Sequence, residues 1–173
     1  MLYYCYNFVM KTLFIGGIKS GKSRNAEEYI QQHTKHKPVY LATTEFIDNE
    51  MQQKIDEHKK MRENRFITVE EALNLKEKIE LQEGAVLVEC LSMWINNMLY
   101  HEKSYDDMLA ELSLVMQLRQ DVVFVINDVS CGVIPENRLA REFVDINGRL
   151  AQFVAGECDA VYHVVAGIAT QIK

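Results

Sequence analysis

The residues with the clearest chemical meaning form one run near the start of the chain that fits the pattern G-x-x-x-x-G-K-[ST]. They are Gly16, Gly17, Ile18, Lys19, Ser20, Gly21, Lys22 and Ser23. In such a loop, backbone N–H groups turn inward around a polyphosphate, and the dipole of the following helix adds positive potential. Lys22 would contact the β- and γ-phosphates, and the Ser23 hydroxyl would hold Mg²⁺. The alternative is an ordinary glycine turn between a strand and a helix.

The segments on either side of this loop favour phosphate binding over a simple turn. Residues 11–15 form a short apolar run rich in strand-forming side chains, and residues 24–30 have the pattern of the first turns of a helix. Strand, glycine loop and helix, in this order, are the context in which the motif binds phosphate. We therefore expect a nucleotide site where the first strand ends.

The rest of the chain alternates apolar runs with helical patterns. Further strands are predicted at residues 39–42, 85–90, 122–126 and 160–165, with a short extended piece at 66–68. Helices are predicted at residues 48–63, 70–81, from 92 through 98, at 105–120 and from Pro135 to about 156. This alternation predicts a single-domain α/β phosphate-loop fold, with a mostly parallel sheet covered by helices on both faces. The domain is expected to span residues 10–173, with residues 1–9 as an N-terminal extension of uncertain status.

Two carboxylates follow buried strands at the edge where the phosphate loop is expected. Glu89 ends the third apolar strand, and Asp128 directly follows the fourth. In phosphate-loop proteins one such acid usually lies beside Mg²⁺ and the loop hydroxyl, so either could assist Ser23 through a water molecule. Glu89 could instead accept hydrogen bonds from a ribose. Alternatively, both carboxylates are ordinary helix caps with no role in nucleotide binding. The spacing alone does not choose among these possibilities.

The predicted helix over residues 48–63 carries an unusual combination of side chains. Its inward face is marked by apolar residues four positions apart: Ile47, Met51 and Ile55. His58 and then Arg62 continue that face, with Lys59 and Lys60 alongside. A neutral imidazole nitrogen has a lone pair that can attack phosphorus, and the neighbouring cations suit a phosphate group. A solvated histidine with no catalytic role is the alternative.

Composition excludes several classes of function. The chain has 173 residues, of which 48% are hydrophobic and 25% charged, and its net charge of −6 argues against a nucleic-acid-binding surface. Its four cysteines are scattered without C-x-x-C spacing, which favours free thiols in a reducing cytoplasm. No export signal is apparent at the start of the sequence, and no apolar run approaches the length of a membrane span.

Seven segments together resemble one known family. They are residues 16–24, 40–43, 48–59, 68–70, 88–91, 133–141 and 164–168. In this order they are similar to the bifunctional adenosylcobinamide kinase / adenosylcobinamide-phosphate guanylyltransferase of cobalamin biosynthesis, from about residue 10 to the end of the chain. The phosphate loop alone is unspecific, whereas its combination with the His58 segment and the Pro-Glu-Asn segment at residues 135–137 is specific.

The resemblance implies two reactions. ATP or GTP would phosphorylate the aminopropanol hydroxyl of adenosylcobinamide, and GTP would then transfer GMP to that phosphate through a histidine-bound intermediate, releasing pyrophosphate. His58 matches the family's nucleophile. The family's nucleotide contacts fall on the phosphate loop and on Ala42, Thr43, Thr44, Lys59, Lys60, Met61, Arg62, Glu70 and Glu89. The resemblance also implies GTP, ATP and Mg²⁺ as cofactors, a corrinoid substrate and a homotrimer.

Two other functions remain compatible with the motifs. One is a different phosphate-loop enzyme that phosphorylates a small molecule without a histidine intermediate. The other is a GTP-dependent regulatory switch, which needs neither a covalent histidine nor a small acceptor. Protein-bound label from GTP labelled in its α-phosphate would separate the predicted enzyme from both.

Overall fold

The structure is a computed structural model that describes residues 9–45 and 64–173. Its strands are β1 (Lys11–Gly16), β2 (Val39–Ala42), β3 (Ile67–Glu70), β4 (Val86–Glu89), β5 (Val122–Asn127), β6 (Ala160–Val165) and β7 (Ile168–Gln171). Its helices are α1 (Lys22–His33), α2 (Leu75–Glu80), α3 (Leu91–Tyr100), α4 (Tyr105–Met116) and α5 (Arg138–Glu157). The predicted helix over residues 48–63 lies outside the described residues.

The strands of the described residues form one sheet in the order β3-β2-β4-β5-β1-β6-β7. Neighbouring strands from β3 to β6 are parallel, and only the last pair, β6 with β7, is antiparallel. Parallel strands point their carboxyl ends to the same edge, which is where ligands bind in open α/β sheets. The predicted mostly parallel sheet is therefore confirmed.

Helices cover both faces of this sheet, because successive strand residues point to opposite sides. On β5, Phe124 packs into the larger apolar layer with Trp94 of α3 and Leu150 of α5. The adjacent Val123 packs on the other side, together with Ala26 and Ile30 of α1. A strand that is apolar at every position is thus buried on both faces, as its sequence predicts.

Several predicted helix boundaries are wrong, and each has a local cause. The helix predicted over residues 70–81 begins only at Leu75. Glu70 instead ends β3, where it pairs with Ala42 of β2, and the Glu71 carboxylate accepts the Leu73 and Asn74 N–H groups in a turn. Sheet pairing therefore overrides the helical pattern of this segment.

The other boundary errors are smaller. The long helix starts at Arg138 rather than at Pro135, because the Asn137 side chain caps it by accepting the Ala140 N–H at 3.2 Å. The helix predicted to reach residue 120 ends at Met116, and the one predicted from residue 92 begins at Leu91. The final segment is a strand, β7, that forms a hairpin with β6.

No helix among residues 9–45 and 64–173 combines the length and apolar character that crossing a bilayer requires. The longest, α5, carries a buried face and a charged face, as a helix lying on a sheet does.

We predict that Phe124→Ala lowers the free energy of unfolding by about 3–5 kcal/mol, because the ring is fully buried in the central strand and its removal leaves a cavity. Urea unfolding followed by circular dichroism measures this. Leu81→Ala is the control, since Leu81 is 69% exposed and its truncation should change the free energy by less than about 0.5 kcal/mol. Equal effects of the two substitutions would contradict the described core.

Candidate nucleotide-binding site

The phosphate loop connects β1 to α1 and has the backbone of a phosphate cradle. The Ser20 N–H donates to the Gly17 carbonyl at 3.2 Å, and Lys19 and Gly21 have φ angles of 58° and 92°. Gly21 stands at the N-cap of α1, where this left-handed conformation favours glycine over any residue with a Cβ. No described side chain caps α1, so its first N–H groups are available to an anion.

Lys22 is held against the loop rather than extended into solvent. Its side chain is only 7% exposed, and Nζ donates to the Gly17 carbonyl oxygen at 3.2 Å. The first residue of α1 therefore holds its ammonium group beside the loop backbone. This is the position from which a lysine can reach the phosphates of a nucleotide.

The Ser23 hydroxyl meets a carboxylate from a distant strand. Ser23 Oγ donates to Glu89 Oε1 at 2.7 Å, although β4 is separated from β1 by β5. Asp128 does not make this contact, because its carboxylate accepts the Ser130 hydroxyl at 2.6 Å and the Cys131 thiol at 3.3 Å. The Ser130 hydroxyl also holds the pKa of Asp128 below its ordinary value. The sequence left Glu89 and Asp128 as candidates for the carboxylate beside the loop hydroxyl, and the geometry favours Glu89.

The carboxyl end of β2 is tied to β4 by the Thr43 side chain. Thr43 is fully buried, and its hydroxyl donates to the Cys90 carbonyl at 2.9 Å and accepts the Cys90 N–H at 3.0 Å. This hydroxyl is therefore used inside the sheet, where it fixes the strand end that carries the partly exposed Ala42 and Thr44. In register, Ala42 pairs with Glu89 on one side and with Glu70 on the other.

Sequence reasoning missed a closed polar ring behind the site. Ser92 Oγ donates to Asn147 Oδ1 at 2.8 Å and accepts the Asn127 N–H at 2.9 Å, and Asn147 Nδ2 donates to the Asn127 carbonyl at 3.0 Å. The ring joins α3, α5 and the end of β5. Its only sequence signal is the presence of a small polar residue and an amide at helix positions that face the sheet.

A second missed amide supports the end of β2. Asn97 of α3 is fully buried, and its Nδ2 donates to the Thr43 carbonyl at 2.6 Å and to the Ala72 carbonyl at 3.2 Å. One side chain thus fixes both the chain leaving β2 and the chain leaving β3. These backbone carbonyls would otherwise be buried without partners, which is costly.

The remaining predicted contacts lie outside the described residues: His58, Lys59, Lys60, Met61 and Arg62. Glu45 is the last described residue before this gap, and its carboxylate lies 2.8 Å from His101 Nε2 at the end of α3. The structure therefore describes the part of the candidate site that runs from the phosphate loop across to Glu70.

Cys90, the residue after Glu89, is not suited to act as a nucleophile. Burial, followed by the negative charge of Glu89, raises the pKa of the Cys90 thiol to about 11. The protonated thiol is a poor nucleophile at neutral pH. Its Sγ instead accepts the Met93 N–H at 3.4 Å and caps α3.

These features define a phosphate-loop, nucleotide-binding α/β domain. Solved structures support the fold. The flagellar accessory protein FlaH from Methanocaldococcus jannaschii superposes with a TM-score of 0.52 at 11% identity, over 95% of this chain and 78% of its own. The KaiC-like protein PH0186 from Pyrococcus horikoshii OT3 superposes with a TM-score of 0.50 at 12% sequence identity. That superposition covers 89% of this chain and 70% of the KaiC-like protein.

The chain belongs to the cobinamide kinase / cobinamide phosphate guanyltransferase family, CobU, which matches residues 12–172. In an alignment 183 residues long, it is 36% identical to the bifunctional adenosylcobalamin biosynthesis protein CobU of Salmonella typhimurium. The alignment covers 95% of this chain and 100% of that protein. Identity to CobU of Escherichia coli is 35% with the same coverage. Identity to CobP of Pseudomonas aeruginosa is 33%, covering 95% of this chain and 98% of the relative.

We predict that Cys131 is alkylated by iodoacetamide at pH 7 much faster than Cys90, because Cys131 is exposed whereas the Cys90 thiol stays protonated in its half-buried position. Peptide mapping by mass spectrometry measures the two rates in the folded protein. Denatured protein is the control, in which both residues should react at similar rates. Faster labelling of Cys90 in the native protein would contradict the described strand end.

Proposed function

We propose that this chain phosphorylates adenosylcobinamide with ATP or GTP and then transfers GMP from GTP to the product, giving adenosylcobinamide-GDP. The observation that carries the proposal is the phosphate loop with its Ser23–Glu89 contact, in a chain that belongs to the CobU family over nearly its whole length. Both reactions need a bound triphosphate, and the described loop is the element that would hold it.

In the first reaction the corrinoid hydroxyl oxygen attacks the γ-phosphorus. The bond between that phosphorus and the β,γ-bridging oxygen breaks, a nucleoside diphosphate leaves, and the hydroxyl proton passes to solvent. Lys22 and the loop N–H groups would stabilise the charge that grows on the transferred and leaving phosphates. No protein atom needs to be covalently modified in this step.

In the second reaction the His58 nitrogen attacks the α-phosphorus of GTP. The bond to the α,β-bridging oxygen breaks and pyrophosphate leaves, and the phosphate of the corrinoid then displaces histidine by breaking the N–P bond. Support for His58 comes from its match to the family pattern and from the cations that follow it, Lys59, Lys60 and Arg62. A neutral imidazole is a competent phosphorus nucleophile at physiological pH.

A magnesium ion fits the donor groups beside the loop. Mg²⁺ prefers oxygen ligands and is commonly held by one or two protein groups together with substrate phosphates. The Ser23 hydroxyl and the Glu89 carboxylate, 2.7 Å apart, are such groups, and no cluster of three or more His, Cys, Asp or Glu among residues 9–45 and 64–173 offers an all-protein site. We propose that Ser23 binds the ion directly and that Glu89 acts through water. The bound ion would neutralise charge on the triphosphate.

The other strand ends complete the proposed nucleotide site. We place Ala42, Thr44 and Glu70 against the ribose and base, because they share the sheet edge with Glu89. Thr43 would contribute by fixing this strand end, since its hydroxyl is bound to Cys90, its N–H to the Glu89 carbonyl and its carbonyl to Asn97. Met61 and its basic neighbours remain proposed contacts by family resemblance.

We further propose a cytoplasmic homotrimer. The scattered cysteines support a reducing compartment, and the described Cys90, Cys131 and Cys158 are free thiols.

The trimer rests on the family resemblance, and the exposed apolar side chains Val133 and Ile134 are compatible with a subunit contact. Light scattering coupled to gel filtration measures the subunit number.

We predict that Lys22→Ala lowers the rates of both reactions by at least about a hundredfold, the usual effect of removing one group that stabilises transition-state charge. The fold should survive, because Lys22 belongs to neither apolar layer of the core and its ammonium group donates one hydrogen bond, to a loop carbonyl. Turnover assays with saturating GTP measure the loss. The exposed Lys35→Ala is the control and should retain wild-type rates. Wild-type turnover by folded Lys22→Ala would refute the phosphate-loop assignment.

We predict that His58→Ala loses both GMP transfer and labelling of the protein by GTP carrying label in its α-phosphate. It should still phosphorylate adenosylcobinamide, because the first reaction needs the triphosphate cradle but not the histidine. Acid-labile, alkali-stable label on the wild-type protein identifies a phosphoramidate.

His36→Ala, which alters an exposed histidine, is the matched control and should label normally. A labelled His58→Ala protein would show that the nucleophile lies elsewhere. Loss of phosphorylation as complete as the loss of transfer would show that the two roles are not separable.

A further inference from the structure

The hairpin of β6 and β7 lies directly against the phosphate loop. Its two-residue turn consists of Ala166 and Gly167, with φ angles of 51° and 83°, between the paired residues Val165 and Ile168. Positive φ at both central residues matches the right-handed twist of a tight hairpin. The turn lies at the edge of the sheet, next to the start of α1.

Three contacts join this turn to the loop. The Gly167 N–H donates to the Ser20 carbonyl at 2.7 Å. The Asn25 side chain, one turn into α1, donates from Nδ2 to the Gly21 carbonyl at 2.9 Å and to the Gly167 carbonyl at 3.2 Å. One amide thus bridges the loop and the hairpin.

The packing between hairpin and loop leaves no space for added atoms. A Cβ on Gly16 would overlap the Val164 carbonyl oxygen, and a Cβ on Gly21 would lie 3.0 Å from the Gly167 Cα. The loop is therefore fixed at both of its ends by the backbone of the hairpin, as well as by the strand and helix that it connects.

These contacts determine which way the loop N–H groups point. In a planar trans peptide the carbonyl of one residue is opposed to the N–H of the next. Because the Ser20 carbonyl accepts the Gly167 N–H, the N–H group of Gly21 is directed away from the hairpin. The Gly21 carbonyl accepts both the backbone N–H of Asn25, at 3.0 Å, and its side-chain Nδ2, so it points along α1 and the Lys22 N–H points outward from the start of the helix. A glycine-containing loop without such restraint would lose more conformational entropy when it orders around a ligand.

We propose that the β6–β7 hairpin braces the phosphate loop and that Asn25 is a positioning residue for binding of the triphosphate of a nucleotide. This inference rests on the proposed nucleotide-binding function and adds a residue that the phosphate-loop motif does not include. Asn25 acts through the Gly21 and Gly167 carbonyls, and its effect is to hold the loop in its binding conformation before the ligand arrives.

Asn25→Ala tests the proposal, with isothermal titration of GTP and of inorganic triphosphate in the presence of Mg²⁺. Both dissociation constants should rise about tenfold, equivalent to about 1.4 kcal/mol. The melting temperature should stay close to that of the wild type, since alanine is the better helix former. Gln32→Ala, an exposed amide on the same helix, is the matched control and should bind both ligands normally.

A second variant keeps the test independent of any folding defect at residue 25. Gly167→Ala places a Cβ on a residue with a φ of 83°, which strains the turn. This variant should weaken the binding of inorganic triphosphate as Asn25→Ala does. Ala166→Gly relaxes the neighbouring positive φ and should bind triphosphate as the wild type does.

The outcomes distinguish the two proposals. Unchanged binding of inorganic triphosphate by Asn25→Ala, while the wild type binds GTP, overturns the brace and leaves the proposed function intact. Weakened binding of GTP alone also overturns it, because the defect would then lie at the nucleoside. A wild-type protein that binds neither ligand overturns both proposals.

Discussion

The common carboxyl edge of the parallel strands is the constraint on which the site depends. The phosphate loop follows β1, yet the carboxylate that meets its Ser23 hydroxyl ends β4, with β5 between them. A 2.7 Å hydrogen bond across that distance forms only if the three strands keep their register, in which Glu89 pairs with Val125 and Gly16 with Asn127. Sheet pairing, rather than proximity along the chain, therefore creates the proposed metal-binding pair.

Buried polar groups hold this edge in place from behind. Thr43, Asn97 and the Ser92–Asn147 pair satisfy backbone groups where β2, β4 and β5 end, so that the strand ends are fixed while their outer surface remains open. Buried hydrogen bonds of this kind resist displacement, because breaking one leaves its donor and acceptor unpaired. The β6–β7 hairpin supplies the same kind of restraint to the phosphate loop from the opposite side. Preorganised N–H groups can then stabilise phosphate charge without first reordering.

The sequence predicted the parts of the structure that local patterns encode. The apolar runs predicted the parallel strands, and the loop motif predicted the conformation between β1 and α1. It did not predict that residues 67–70 pair with β2, that Ile168–Gln171 forms β7, or that Asn25, Asn97 and Asn147 are structural amides. The pairing of residues 67–70 and the three amides depend on partners far away in the chain, such as Gly167 for Asn25. The last strand, β7, instead pairs with its neighbour β6 across a two-residue turn. The choice between Glu89 and Asp128 was open for the same reason, since both follow apolar strands and only the three-dimensional register separates them. The predicted contacts at His58–Arg62 remain predictions.

The most direct measurement is a time course with the wild-type protein, adenosylcobinamide, GTP and Mg²⁺, in which corrinoids are followed by liquid chromatography and mass spectrometry. The proposed function predicts that a phosphorylated corrinoid appears first and then declines as the GDP-linked corrinoid accumulates, with pyrophosphate released in equal amount. An unchanged corrinoid in the presence of continuing GTP hydrolysis would contradict it and would favour a regulatory switch. A phosphorylated corrinoid that never gains GMP would support the kinase reaction and contradict the proposed GMP transfer.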